Sequence, residues 1–294
     1  MPSKIDQVTL DRIQLLHPML RDEAYYIYTA QVVPALSGRA MCRFAFTLRS
    51  WEEQAALYAQ GRTKLFDSKG RLLRRFREAE SKYNAYLTDY SELALANLFL
   101  YFGSFDISYI EKAAKLCEDT IKLFQAPSGA FFDTGSDAEQ LIRRSIDGYD
   151  GVEPSGNSTI SFVLNYLASL GIETSRYESL SEKIFKFFAE DLSKRAVSYP
   201  FMLKSYHYAT SIKKQIVVTG NRENLEVQTI LSYLKTNFLP NVLVCYHDGN
   251  SENERILPIL KNKFSEDCKI YVCENQTCAL PIHTLDELRL AFGK

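Results

Sequence analysis

The sequence predicts a mainly α protein in which helical hairpins follow one another and a small parallel α/β unit comes last. Two observations lead to this prediction. Up to about residue 210, apolar side chains recur at steps of three and four residues through long windows, which is the helical period. From Lys214 onward, short β-branched runs alternate with amphipathic segments. The change of period predicts a helical domain at 1–213 and an α/β domain at 214–294.

The composition is that of an ordinary globular protein. The 294 residues are 46% hydrophobic and 24% charged, which is sufficient for a large core. A net charge of -1 gives no reason to expect nucleic acid or an anionic membrane as a partner. No stretch approaches the roughly 20 apolar residues of a membrane span, and the first residues lack a secretory signal pattern. Because two of the six cysteines sit inside apolar patterns, we expect a reducing, cytoplasmic setting without disulfides.

The clearest hairpin joins predicted helices at 91–103 and 107–124. The first is apolar nearly all round and the second carries charges on one side, which predicts an inner and an outer helix. The same alternation returns at 158–171, ended by Gly171, and at 175–192, started by Ser175.

The weaker elements complete the plan. A fainter helix pair is predicted at 38–50 and 51–66, and strands are predicted at 70–78 and 129–135. In the last 80 or so residues, right-handed crossovers would place helices on the faces of a parallel sheet. Its predicted strands are 215–220, 241–249 and 269–275, and its predicted helices are 223–238, 252–264 and 285–292.

Five motifs then occur in a recognisable order. They are LTDYSEL (87–93), GAFFDTG (129–135), LIRRSIDGYDGVEPSGNS (141–158), QIVVTGN (215–221) and YVCENQTCALP (271–281). Together they resemble the spermatogenesis-associated protein 20 family of thioredoxin domain-containing proteins, from about residue 38 to the end. The resemblance implies an (α/α)6 toroid similar to N-acylglucosamine 2-epimerases and six-hairpin glycosidases. Since a hairpin with its loops takes roughly 50 residues, we predict a partial toroid of three to four hairpins.

The chain also departs from the family pattern. It contains no thioredoxin-like domain and no CxxC, so a disulfide oxidoreductase role is not expected. Leu36-Ser37-Gly38 stands where the family has Trp-Asn-Gly, Arg144-Ser145-Ile146 stands for Arg-Pro-Lys, and Thr88 replaces the first aspartate of YLDDY.

The segment YDGVEPSGNS (149–158) has two interpretations. Ser155 or Asn157 caps the following helix, with the acids at the positive end of its dipole. Alternatively, Asp150 and Glu153 act as general acid and base in a toroid mouth, since glycosidic or epimerising chemistry needs two carboxyls of different pKa. Asp89 is likewise either a cap or a ligand contact. The predicted binding residues are Tyr86, Asp89, Tyr90, Asp133, Arg144, Asp147, Tyr149, Ser155 and Asn157.

Two functions follow as hypotheses. The first is a carbohydrate-binding or carbohydrate-active protein with a small sugar ligand in the toroid mouth; whether it is an epimerase-like or glycosidase-like enzyme is left open. The second is a non-catalytic scaffold or one half of a two-chain assembly, completed by a thioredoxin-like partner or by self-association through an apolar flank. No cofactor or metal is expected, because the five-residue spacing of Cys268, Cys273, Cys278 and His283 differs from that of structural zinc sites.

Overall fold

A computed structural model describes residues 7–14, 25–36, 66–77, 80–139, 142–237, 239, 241–274 and 277–291. The chain divides into two units, residues 1–69 with 75–81 and residues 70–74 with 82–294. The first unit contains α1 (Gln7–Gln14), a π-helix (Ile27–Val32) and α2 (Val33–Leu36). The fainter hairpin predicted at 38–66 lies, except for its last residue, outside the described residues.

The strand predicted at 70–78 is present, whereas the one predicted at 129–135 is not. Strands β1 (Leu73–Arg77) and β2 (Glu80–Asn84) form a two-stranded sheet, and β2 was not predicted. Residues 129–135 contain only an isolated bridge from Phe131 to Gln125. The prediction is wrong there because the chain turns back at Gly129. The φ of this residue is +94°, a conformation that glycine adopts more readily than other residues.

Helices make up most of the second unit. They are α3 (Leu87–Ser104), α4 (Ser108–Phe124), α5 (Gly156–Ser169), α6 (Thr174–Phe187), α7 (Ala189–Lys194) and α8 (Pro200–Thr210). Helices α3 and α4 pack as one hairpin and α5 and α6 as a second, and α5 also packs against α3 and α8. Helix α5 is buried almost all round and α4 and α6 bury one face, as predicted for inner and outer helices. Helix α3, the other predicted inner helix, has seven of its 18 residues buried. The mainly α class is confirmed; closure into a toroid stays a prediction.

Helix ends show where local signals were sufficient. Gly171 follows α5 with φ +89°, as its predicted role at the helix end requires. Helix α6 begins one residue before the predicted Ser175 cap, after Glu173. Helix α8 was not predicted as a separate helix, although Pro200 in its first turn is a recognised start signal.

The sheet of the second unit is mixed. Its elements are β3 (Lys214–Thr219), α9 (Leu225–Thr236), β4 (Val242–His247), α10 (Ser251–Ile256), β5 (Lys269–Glu274), β6 (Thr277–Cys278) and α11 (Leu285–Ala291). The strand order is β4-β3-β5-β6, with β3 parallel to β4 and antiparallel to β5. The prediction of an all-parallel unit is therefore wrong.

The lengths of the two connecting helices explain the difference. Helix α9 has 12 residues, and at about 1.5 Å per residue it can return the chain along a six-residue strand. Helix α10 has six residues and ends before the 3-10 turn that starts at Pro258. The chain therefore enters β5 at the end where β3 finished, and Lys269 pairs with Thr219.

The helical layer and the sheet belong to one compact unit. Lys235 Nζ donates to the carbonyl of Gly103 at 2.7 Å, and Arg222 donates to the carbonyl of Ser104 at 3.0 Å. The ring of Phe105 lies 6.1 Å from that of Tyr246. The predicted boundary at 213/214 coincides with the start of β3 and stays a prediction.

The expectation of a protein without disulfides is wrong. Cys273 and Cys278 are opposite each other in the antiparallel β5–β6 pair and are joined by a disulfide. Two cysteines five residues apart come together when the chain between them forms a hairpin. The periodicity of the sequence did not indicate this hairpin. Cys117, Cys245 and Cys268 are buried thiols, and burial raises the pKa of Cys245 to about 12.

Candidate functional site

The starts of helices α3, α5 and α8 lie at one end of the helical layer. A Cβ on Gly156, the first residue of α5, would lie 2.6 Å from Leu87 Cγ and 3.1 Å from Thr88 N, so α5 begins directly against the first turn of α3. Asp150, just before α5, accepts hydrogen bonds from the first turn of α8. We call residues 86–92, 131–134 and 144–157 at this end the helix-start cluster.

Asp150 is a structural link between two helices. Its Oδ1 accepts a hydrogen bond from Ser155 N at 2.9 Å, and its Oδ2 accepts from Phe201 N at 2.8 Å and Met202 N at 3.1 Å. The residue is 8% exposed. Because both oxygens satisfy backbone N–H groups at helix starts, the capping interpretation accounts for this carboxylate without a catalytic role.

Ser155 and Asn157 look alike in the sequence but differ in role. Ser155 is the N-cap of α5, and its Oγ accepts from Ser158 N at 3.1 Å. Asn157 is buried; its Oδ1 accepts from Phe131 N, and its Nδ2 donates to the carbonyls of Phe131 and Asp147, at 2.8 to 2.9 Å. Asn157 therefore ties two loops together, and its side chain is not accessible to a ligand.

The start of α3 combines a cap with an exposed aromatic ring. Asp89 Oδ2 accepts from Tyr86 N at 2.8 Å, which confirms the capping interpretation of Asp89. Arg74 lies 3.8 Å from the Asp89 carboxylate and 4.5 Å from the centre of the Tyr86 ring. Tyr86 remains 42% exposed.

Tyr90 belongs to the core, which corrects its prediction as a binding residue. Its hydroxyl accepts from Leu72 N at 2.9 Å, and its ring lies 5.5 Å from that of Phe124 on α4. The side chain faces the neighbouring outer helix α4 and is fully buried.

Arg144, in the loop before α5, stabilises the backbone around it, and Asp133 and Asp147 are neighbouring acids. Arg144 donates hydrogen bonds to the carbonyls of Thr134 and Leu123 and lies over the Phe132 ring. Its guanidinium therefore fixes the backbone at Thr134 and Leu123. Asp133 is half-buried; burial raises its pKa, and the negative charge of Asp147 adds to the effect.

Tyr149 is the second exposed ring of the cluster. Its side chain is 57% exposed, and its backbone N donates to Asp147 Oδ1 at 2.9 Å. Together with Tyr86, it provides exposed aromatic surface at this end of the helical layer.

Glu92 is the residue that the sequence interpretation missed. It lies on α3, half-buried, and burial raises its pKa, while the negative charges of Glu153 and Asp89 add to this. These three carboxylates are therefore electrostatic neighbours. Glu92 is the only charged residue in the apolar run 91–103, and that isolation was the available signal.

The cluster offers groups of the kind that contact hydroxyl-bearing molecules. Rings of Tyr86 and Tyr149 offer stacking surface, and the carboxylates of Glu92 and Glu153 accept hydrogen bonds. Two cavities lie away from the helix-start cluster. One, of about 440 Å³, is lined by residues at 168–169, 178, 209–213 and 215, and the other, of about 480 Å³, is lined by residues 125–129 and Lys183.

Within the part of the chain that the structure describes, no three His, Cys, Asp or Glu side chains gather as a metal site. Of the four residues weighed for zinc, Cys273 and Cys278 are joined to each other. Over the same described ranges, no helix has the length and apolar character needed to cross a bilayer.

No family model matches the chain. Spermatogenesis-associated protein 20 of Homo sapiens is 28% identical over 213 residues, which are 69% of this chain and 27% of the human protein. The protein of the same name from Mus musculus is 29% identical over 214 residues, covering 69% of this chain and 26% of its own length. The chain thus spans about a quarter of the length of the curated relatives that it matches. The chain is thus similar to the proteins of the spermatogenesis-associated protein 20 family over 69% of its length, and the family resemblance predicted from its motifs is confirmed.

Proposed function

We propose that the chain binds a carbohydrate at the helix-start cluster. The observation that supports this most directly is the packing of Gly156 on the first turn of α3, which gathers the polar loops of two inner helices at one end. Exposed Tyr86 and Tyr149 supply apolar faces for a sugar ring, and the carboxylates of Glu92 and Glu153 can accept hydrogen bonds from its hydroxyls. The implied relation to sugar epimerases and glycosidases agrees with this ligand class.

For a turnover reaction, we propose Glu92 and Glu153 as the acid–base pair. Glu92 has the raised pKa that suits a general acid, and Glu153 is an exposed carboxylate in its electrostatic neighbourhood. Asp150 then acts as a positioning residue, since its three backbone hydrogen bonds hold α5 and α8. Asp133, Asp147 and the Asp89 cap complete the acidic rim.

The test is saturation-transfer NMR with N-acetylglucosamine, N-acetylmannosamine, maltose and cellobiose. We expect transfer to at least one sugar, and we expect Tyr149→Ala and Glu153→Gln to reduce it at least fivefold. Tyr206→Ala removes an aromatic side chain of similar exposure from α8 and serves as the control. No transfer to any of the four sugars would remove the reason for naming carbohydrate.

A specific observation favours the second function, a scaffold or one half of a two-chain assembly with a thioredoxin-like partner. On the inner helix α3, Phe99 is 53% exposed and Leu100 is 46% exposed. Soluble proteins use such apolar surface for association. A cytoplasmic location remains part of the proposal, supported by the three buried thiols and opposed by the Cys273–Cys278 disulfide.

A further inference from the structure

A second candidate site lies at the other end of α5. A cavity of about 440 Å³ is bounded by the last residues of α5 and α8 and by the chain that enters β3. Helix α5 has 14 residues, so about 21 Å of helix separates this cavity from the helix-start cluster. The volume is within the range of small-molecule sites, roughly 300 to 1,000 Å³.

Gln215 is the unusual residue of this cavity. It is 4% exposed, and its Oε1 is buried with no hydrogen-bond partner among the described residues. A buried acceptor without a donor is unfavourable, and native proteins rarely keep one without a reason. Because this oxygen has almost no accessible surface, the Gln215 side chain has to turn toward the cavity before a ligand there can donate a hydrogen bond to it.

Two hydroxyls of the wall can each accept a further hydrogen bond. Ser169 Oγ donates to the carbonyl of Asn165 at 2.8 Å, and Thr210 Oγ1 donates to the carbonyl of Tyr206 at 2.9 Å. A hydroxyl has a single hydrogen, so these two oxygens can only accept from a further partner. The Glu178 carboxylate, also in the wall, is an acceptor as well. An ammonium group, with three donors, fits this wall better than an anion does.

Lys213 provides the opposite charge in the same wall. Its Nζ lies 5.3 Å from the centre of the Tyr208 ring, and its side chain is half-buried. Burial lowers the pKa of Lys213, and the charge of Glu178 counteracts part of this. One cation and one carboxylate face the cavity, so a ligand with both charges is complementary to it.

We propose that this cavity binds a small zwitterion, of which a free α-amino acid is the simplest, with its ammonium toward Gln215 Oε1 and its carboxylate toward Lys213. The cavity and the partnerless Gln215 oxygen carry the proposal, and it is independent of the carbohydrate proposal at the opposite end of α5.

The test is an NMR titration of the full chain with L-alanine, L-glutamate, L-lysine and L-phenylalanine. We expect saturable shifts of the backbone amides at 209–215 with at least one of them. The N-acetyl and carboxamide forms of that amino acid lack one charge each, and both should bind at least tenfold more weakly.

Two variants and a control separate binding from a structural role. Gln215→Leu should weaken binding at least tenfold while raising the melting temperature, because it removes an unsatisfied buried acceptor. Lys213→Met should also weaken binding, whereas Lys183→Met, at the other cavity, should not. The proposal is overturned if none of the four amino acids gives saturable shifts. It is equally overturned if the N-acetyl form binds as well, or if Lys213→Met and Gln215→Leu both keep the parental affinity.

Discussion

The Asp150 carboxylate accepts three backbone hydrogen bonds from the starts of two helices. Asp150→Ala leaves these N–H groups without their acceptor, and hydrogen bonds to a charged group contribute about 1.5 to 3 kcal/mol each without being additive. We expect the free energy of unfolding to fall by about 3 kcal/mol, and Asp150→Asn, which keeps one acceptor oxygen, to lose about half as much. Urea denaturation measures both.

Glu153→Gln is the matched control for Asp150, because Glu153 is an exposed acid three residues away. A surface change of this kind should alter stability by no more than about 0.5 kcal/mol. If Asp150→Ala were as stable as the parent, the cap assigned to this carboxylate would be wrong.

Glu92 should make the protein less stable as pH rises. Its pKa is raised in the folded chain, so between the unfolded and the folded pKa the folded state binds more protons. Stability is therefore fully present below the unfolded pKa of 4.5 and decreases as pH rises through the folded value. Glu92→Gln should raise the melting temperature near neutral pH and leave it unchanged near pH 4, which calorimetry can measure. Glu111→Gln, on the exposed side of α4, should show no such difference.

At the residue scale, the sequence could predict roles that depend on nearby residues. Ser155 and Asp89 cap helices whose apolar runs begin within a few positions of them. Asn157 could not be assigned in this way, since its partners Phe131 and Asp147 lie 26 and 10 residues earlier. Tyr90 was misassigned because a motif does not indicate which neighbour a helix face will contact.

At the element scale, contact between the starts of α3 and α5 depends on Gly156. A Cβ there would lie 2.6 Å from Leu87 Cγ, so Gly156→Ala should push the two helices apart at a cost of about 1 to 3 kcal/mol. Leu87→Ala alone should cost about 2 to 5 kcal/mol, since Leu87 is fully buried. In the double variant the clash with the Leu87 side chain is absent, although the 3.1 Å approach to Thr88 N remains, and the combined loss should be smaller than the sum.

Denaturant unfolding of the four proteins in this cycle gives the coupling directly. Simple additivity would mean that the Gly156 contact does not set the spacing of α3 and α5. A loss of the saturation-transfer signal in Gly156→Ala, with the fold retained, would connect this spacing to the proposed ligand surface.

Whole helices could be predicted where the apolar period of a segment was helical and the segment was long enough to form a helix. The α3–α4 hairpin satisfied both, because an apolar and an amphipathic helix stand three residues apart in the sequence. The direction of β5 depended instead on how far α10 extends, and Pro258 ends that connection too early for a full crossover. A six-residue helix and a full-length one show the same apolar period in the sequence, and Pro258 is the signal that distinguishes them here.

The surface of the whole molecule gives the last prediction. Phe99 and Leu100 are exposed on α3, of whose 18 residues seven are buried, and Ala96 one turn earlier is exposed too. A contiguous apolar surface of this kind favours association, because each contact removes it from water. We expect the sedimentation coefficient to rise with protein concentration, and the Phe99→Lys/Leu100→Lys variant to remain monomeric with an unchanged circular dichroism spectrum. Tyr206→Lys, which alters an exposed aromatic residue on α8, should associate like the parent. A parent that stays monomeric at every concentration would exclude self-association through α3, so that a different chain would be needed to cover this surface.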